Sequence, residues 1–474
     1  MCLYCINTKF IILFIITFHS ILCDNSIYKL PFGLFYSFEK NNSIELIKYI
    51  FDNFIYVNLT IGTPPQIIPF QIDINSQTFY VSNKYFNRNA SSTYELLSKE
   101  ENLYSYEDAI SGFNSKDILN INGVKKKINF IYETKNKKDN DLGNLGLLIP
   151  TKFQSNVYSF FNTLKISGFI NSFIWTLKFN DNINMKDIIY HRGKYTQILG
   201  DFIIGDDPHN YEKNKEIYNK NKYIQFDAIW SENNLYWDIE FYKIYLKFNN
   251  NQTQLNDNNT NIINIHGNRL AEINPDIGFI VAPIAFFNII NQYYFYKKKE
   301  CKTIKIANSL LRYIECDNSK GFNISSFPDI YFQHDKNDFV LTYKDLFILD
   351  KNKNKYIFLI FYEGYTGNWV FGRLFLAKYQ LTFNEQTKKI GFYSFMNEIH
   401  RKKVKIFDKK RIIAFICNFL RILFLTFFIV LIIYSLCIKN KKRKKRINEL
   451  DEENDDEKVK NNNLLNNIED KNNI

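Results

Sequence analysis

Histidine is scarce. The six histidines of this 474-residue chain form no His-x-x-x-His pair and no Glu-flanked pair, so no metal site is expected and no cofactor is called for. Neither Gly-x-Ser-x-Gly nor a phosphate-binding Gly-rich loop occurs, which removes the usual serine-hydrolase and nucleotide-binding readings. Cysteine is also thin where it matters. Of seven, Cys2, Cys5 and Cys23 fall in an N-terminal apolar stretch, and Cys417 and Cys437 in or beside a C-terminal one. Cys301 and Cys316 remain in the body, either as one disulfide or as two buried thiols, and the disulfide is the expectation. The formal charge is +12, yet it is not spread evenly. Arg401 to Arg411 holds seven basic residues against one acid, so half of the excess sits in that run. No basic stripe with interleaved aromatics appears elsewhere, and no nucleic-acid partner is expected.

What is present is core-forming: 46% hydrophobic and 17% aromatic residues, enough for two substantial domains with appendages. Lys9 followed by the apolar run from Phe10 to Ile16, extended to Cys23, reads as a secretory signal peptide over residues 1–23, the run being short for a membrane span. Residues 24–51 read as a short leader or as the first strands. From Ile412 to Ile438 the chain is almost wholly apolar, and its uncharged part gives about 26 Å of helix at ~1.5 Å per residue. That is long enough to span, with Arg421 near the head groups. The organisation expected is residues 52–218 and 219–397 as two lobes, 398–411 as a basic juxtamembrane segment, 412–438 as a transmembrane helix and 439–474 as a cytoplasmic tail. The chain is then a single-pass type I membrane protein of the secretory pathway, its body lumenal or extracellular. Sequons at Asn41, Asn58, Asn89, Asn251, Asn258 and Asn323 are compatible with a secreted glycoprotein.

The most informative stretch runs from Tyr56 to Val81 (YVNLTIGTPPQIIPFQIDINSQTFYV). An alternating strand, a Gly-Thr-Pro-Pro turn and an apolar strand deliver a carboxylate, Asp73. Further on come Leu103 to Gly123, read as a hairpin and a strand with turns at Gly112 and Asn122-Gly123. Leu142 to Leu148 (LGNLGLL) follows, then Val157 to Ser167 with helical spacing, and Phe173 to Phe179 as a strand. In the second half Tyr236 to Leu246 reads as one strand. It is followed by Ala271 to Pro283 (AEINPDIGFIVAP), Phe327 to Phe332 (FPDIYF) and Trp369 to Phe375 (WVFGRLF). In order and spacing these segments resemble the pepsin-like aspartic peptidases.

That resemblance implies an all-β, bilobal pepsin-like fold with one catalytic aspartate from each lobe. Asp73 stands at the first aspartate position, but its loop reads Asp-Ile-Asn-Ser where the family has Asp-Thr-Gly-Ser/Thr. The family's second aspartate lies nine residues before a proline, and counting back from Pro283 reaches Asn274. Asp276 becomes the second carboxylate only if the register slips by two. Tyr106 is the candidate flap tyrosine and Ser76 the one loop residue retained, both expected on the substrate side. Arg373 replaces the family's acid after the second apolar-Gly element. An aspartic peptidase needs two carboxylates sharing a proton, and an amide can neither take nor give one. The leading expectation is a catalytically degenerate, membrane-anchored homologue whose cleft binds an extended peptide or protein. The alternatives are an active aspartic endopeptidase using Asp73 and Asp276, and a structural or adhesive surface protein.

Overall fold

The structure, a computed structural model, describes residues 27–36, 53–98, 101–104, 109–135, 142–148, 159–180, 189, 198–215, 218–229, 236–248, 261–306, 310–363 and 367–393. The segments read as signal peptide, transmembrane helix and cytoplasmic tail lie outside them, as does Tyr106. Among the described residues no helix is long and apolar enough to cross a membrane.

The described chain is mostly β, with few and short helices and three sheets of fourteen, nine and four strands. Tyr28–Tyr36 is a strand, held between Asn53–Ile61 and Ile198–Ile204 in antiparallel register. Asn53–Ile61 alternates buried and accessible positions, as the period-two pattern requires. It turns at Gly62 to Pro65 into Gln66–Asp73, pairing Tyr56 with Gln71 and Ile61 with Gln66. The turn needs Gly62, whose φ of +92° lies in the region open to glycine.

The large sheet also binds the two halves of the chain. Ile174–Phe179 pairs with Thr382–Asn384 near the C-terminal end of the described body. There Trp175 stacks on Phe383 with ring centroids 4.0 Å apart, and Trp237 meets both rings edge-on. Three large aromatic side chains from distant sequence thus share one buried cluster, which fixes the halves against each other through apolar contact.

Two local readings are corrected. Gly112 makes no turn; Ala109–Ile121 runs straight through it, with only an irregularity against Val124–Lys135 between Ser111 and Gly112. A side chain at that position would press on the backbone of Tyr132, so glycine serves close strand approach there rather than a reversal. The strand expected over Tyr236 to Leu246 is two: Asp238–Glu240 joins the nine-stranded sheet and Lys243–Lys247 the four-stranded one. Phe241 and Tyr242 are the corner between them. The helix expected over Val157 to Ser167 is described as Phe160–Ile166, capped by the Ser159 hydroxyl, which accepts from the Asn162 N–H.

Candidate active-site loops

Gln66–Asp73 lies between Asn53–Ile61 and the parallel strand Gly143–Gly146, with Asp73 opposite Gly146. Being buried on both faces, it reads as a near-continuous apolar run. Beyond Asp73 the chain loops tightly against Leu147 and Leu148, whose N–H groups donate to the carbonyls of Asp73 and Ser76 at 2.8 and 2.9 Å. Gly146 is required because a Cβ there would collide with the backbone of Gln77 and Thr78. Asp73 is 6% exposed, and its Oδ1 accepts from the Asn75 N–H at 2.9 Å. Ile74, buried beside it, offers no hydroxyl. The Ser76 hydroxyl is committed to bracing the loop, accepting from the Thr78 N–H at 3.2 Å and from Asn144 Nδ2 at 3.1 Å. Asn144 also donates to the Thr78 carbonyl at 2.9 Å. It is a buried polar brace of the loop.

The second half repeats this construction. Leu270–Ile273 lies between the antiparallel strand Asp238–Glu240 and the parallel strand Trp369–Phe371, with Ile273 opposite Phe371. The next residue, Asn274, therefore falls level with Gly372, as Asp73 falls level with Gly146. The Asn274 N–H donates to the Phe371 carbonyl at 2.9 Å. Its Oδ1 accepts from the Asp276 N–H at 3.0 Å, the same bond to the residue two positions on that Asp73 makes. A Cβ at Gly372 would strike the carbonyls of Ile277 and Phe279. Each half thus carries a parallel strand pair, a glycine with no room for a side chain, and a loop opened by an Asx side chain.

The family model described as eukaryotic aspartyl protease matches residues 55–395. The chain belongs to that family. Comparison with curated proteins finds no match.

Within this aspartyl-protease framework two further contacts tie the loops together. Gln71, two residues before Asp73 and so on the same face of its strand, donates from Nε2 to Asp276 Oδ2 at 2.7 Å. An amide N–H can only donate, so that oxygen must act as acceptor. Behind the second loop lies Arg373, with no exposed surface. Its Nη1 donates to the carbonyls of Pro275 and Asp276 at 2.8 and 2.7 Å. Its Nη2 reaches Asn53 Oδ1 in the first half and the Ile189 carbonyl at 3.3 Å. Where the family has an acid, this chain has a cation that holds loop carbonyls and joins them to the strand beginning at Asn53.

The structure therefore brings Asp276 to the first half through Gln71 and sets Asn274 in the register of Asp73. Among the described residues no cluster of three or more metal-ligating side chains forms. Cys301 and Cys316 are disulfide-bonded across the paired strands Cys301–Lys305 and Leu311–Asp317. Gln71 and Asn53 escaped the sequence reading. Only the spacing of Gln71, two before the aspartate, was a usable signal.

Proposed function

We propose that this eukaryotic aspartyl protease homologue captures an extended peptide or protein segment between its halves without hydrolysing it. We further propose that segment 412–438 anchors it in a membrane, with the body on the lumenal or extracellular side. The observation that carries the reading is the repeated bond at the two loops: Asn274 Oδ1 accepts from the Asp276 N–H as Asp73 Oδ1 does from the Asn75 N–H. The residue facing the first aspartate across the family's pseudo-symmetry is then an amide. It can hold a water, but it cannot share the proton that lets one carboxylate act as base while the other acts as acid. Ile74 and Pro275 add no hydroxyl to link the loops. Extended peptides are instead recognised by main-chain pairing and alternate side-chain contacts, which need no catalytic dyad.

The test is incubation of the full-length protein with a peptide library between pH 3 and 7. The expected result is saturable peptide binding with no pepstatin-sensitive cleavage. Cleavage that pepstatin blocks and Asp73→Ala abolishes would overturn the proposal. It would favour the second reading, hydrolysis by Asp73 with Asp276, for which the Gln71–Asp276 contact speaks. Combining Asn274→Asp with Asp276→Gly restores both the missing carboxylate and the loop glycine, and should introduce acid-dependent cleavage if the amide is what disables the site.

A further inference from the structure

From Tyr293 to Lys305 the sequence sets its aromatics ahead of its lysines (YYFYKKKECKTIK), so the two do not alternate along the chain. The fold gathers them at one corner. The helix Ile284–Ile290 runs on through Asn291–Phe295, burying Tyr294 and Phe295 and leaving Tyr293 42% and Tyr296 79% exposed. Three apart on a helical turn, Tyr293 and Tyr296 are neighbours on its outer side. Two turns follow, in which the Lys298 N–H donates to the Phe295 carbonyl at 2.9 Å and the Cys301 N–H to the Lys298 carbonyl at 3.0 Å. They lead into the strand Cys301–Lys305, which pairs on one side only, with Leu311–Asp317, and so forms a sheet edge. The Cys301–Cys316 disulfide fastens the base of the corner, as does the bond from the Asp317 N–H to the Glu300 carbonyl at 2.9 Å.

The charge at this corner is of one sign. Lys297, Lys299, Lys302, Lys305 and Arg312 are exposed, and among the described residues none of them is held in an ion pair. Lys305 stands directly opposite Arg312. Such a pair has Cβ atoms about 5 Å apart, and like charges so placed are destabilising until an anion lies between them. The neighbouring acids do not supply it. Glu315 is taken by Lys355 at 2.6 Å, and Asp317 lies 3.9 Å from Lys320. Glu300 and Glu363 are half-buried and make no ion pair with the basic side chains.

We infer that residues 293–305 together with Arg312 form a binding site for a sulfated polysaccharide. The lysine ammonium groups donate to sulfate oxygens, Lys305 and Arg312 hold one sulfate between them, and the exposed Tyr296 ring packs on the apolar C–H face of a sugar. A polymer of regularly spaced anions suits a sheet edge, along which the chain advances ~3.3 Å per residue. The choice of a polysaccharide over nucleic acid or acidic lipid rests on the proposed lumenal or extracellular placement of the body, since the anionic leaflet is the cytoplasmic one.

Lysine footprinting of the full-length protein in neutral detergent tests this. Acetylation is read residue by residue by mass spectrometry, with and without a heparin decasaccharide, so the basic run 398–411 and the basic start of the tail are read apart from this corner. Acetylation of Lys297, Lys299, Lys302 and Lys305 should slow by about tenfold at saturation, the size of one charge-assisted hydrogen bond. The exposed Lys125 and Lys351 should react as before. Combining Lys305→Gln with Arg312→Gln should weaken half-protection of Lys297 and Lys299 by about tenfold and lower the salt slope by about two. Tyr296→Ser should weaken it severalfold with the salt slope unchanged; circular dichroism of both variants should match the parent. Equal acetylation of Lys297 to Lys305 with and without the saccharide, or protection confined to 398–411 and the tail, would overturn the site. Equal or stronger protection by duplex DNA or by phosphatidylserine nanodiscs would overturn the polysaccharide in favour of that polyanion. Protection unmoved by either variant would place the contact elsewhere and refute the assignment. Protease accessibility of the body in sealed vesicles reads the placement by itself, so a cytoplasmic body and a missing saccharide site give different results.

Discussion

Replacing Asp238 by asparagine should make the protein more stable, and by an amount that depends on pH in a defined direction. The Asp238 carboxyl is raised from 3.8 to about 7 by burial and by Glu272. Its neutral form therefore suits the folded state and its charged form does not. Below about pH 4 the group is protonated in both the folded and the unfolded chain, and it imposes no penalty. As pH rises toward 7 the unfolded chain releases the proton while the folded one keeps it, so stability falls; above about 7 the loss is complete. The rise from 3.8 to about 7, at ~1.36 kcal/mol per tenfold change in proton affinity, amounts to roughly 4 kcal/mol as an upper bound. Asparagine is neutral throughout and escapes this loss. With ~2.1 cal/mol/K of unfolding entropy per residue over ~340 residues, the difference corresponds to about 6 °C in Tm. Thermal unfolding of both proteins from pH 4 to 8.5 should give curves that coincide at the acid end and separate by several degrees above pH 7. Glu385, pushed up to about 8 by burial, titrates in both proteins and cancels in the comparison. A separation that is constant with pH, or a parent more stable at pH 8, would refute the reasoning.

Arg373→Met should destabilise the protein by about 3 kcal/mol or more in urea unfolding, since the carbonyls of Pro275 and Asp276 and the Asn53 amide lose a buried donor. Equal stability of that variant would mean that water replaces the guanidinium. Gly146→Ala forces a methyl into the backbone of Gln77 and Thr78. It should lower stability by roughly 1–3 kcal/mol, and more if the loop cannot shift; calorimetry would show the size. Reducing the Cys301–Cys316 bridge, whose partners are 15 residues apart, should remove about 3 kcal/mol on the chain-entropy account. A melt with and without dithiothreitol measures it.

Much of the fold was legible because its signals are local. The alternation of Tyr56 to Ile61, the Gly-Thr-Pro-Pro break and the apolar run into Asp73 each follow from dihedral preference and period-two burial. The nine-residue spacing from Pro283 pointed to Asn274, which the structure sets in the strand register of Asp73. Local signals failed where two meanings share one residue type. Gly112 read as a turn because glycine permits one, yet its absent side chain makes room for Tyr132 across the ladder. Tyr236 to Leu246 kept a strand's composition throughout, and nothing in that pattern marks the corner where the chain changes sheets.

The sequence by itself determined the mostly β class and the order of the segments. These depend on neighbours within a few residues, where periodicity and turn chemistry act. Tertiary structure alone decided what the polar residues around the loops do. Gln71 holding Asp276, Arg373 reaching Asn53 across 320 positions, and Asp238 facing Glu272 are pairings set by strand register and by the packing of the two halves. No window of sequence contains both partners, and the energy of a buried charge or amide is fixed by the partner it meets.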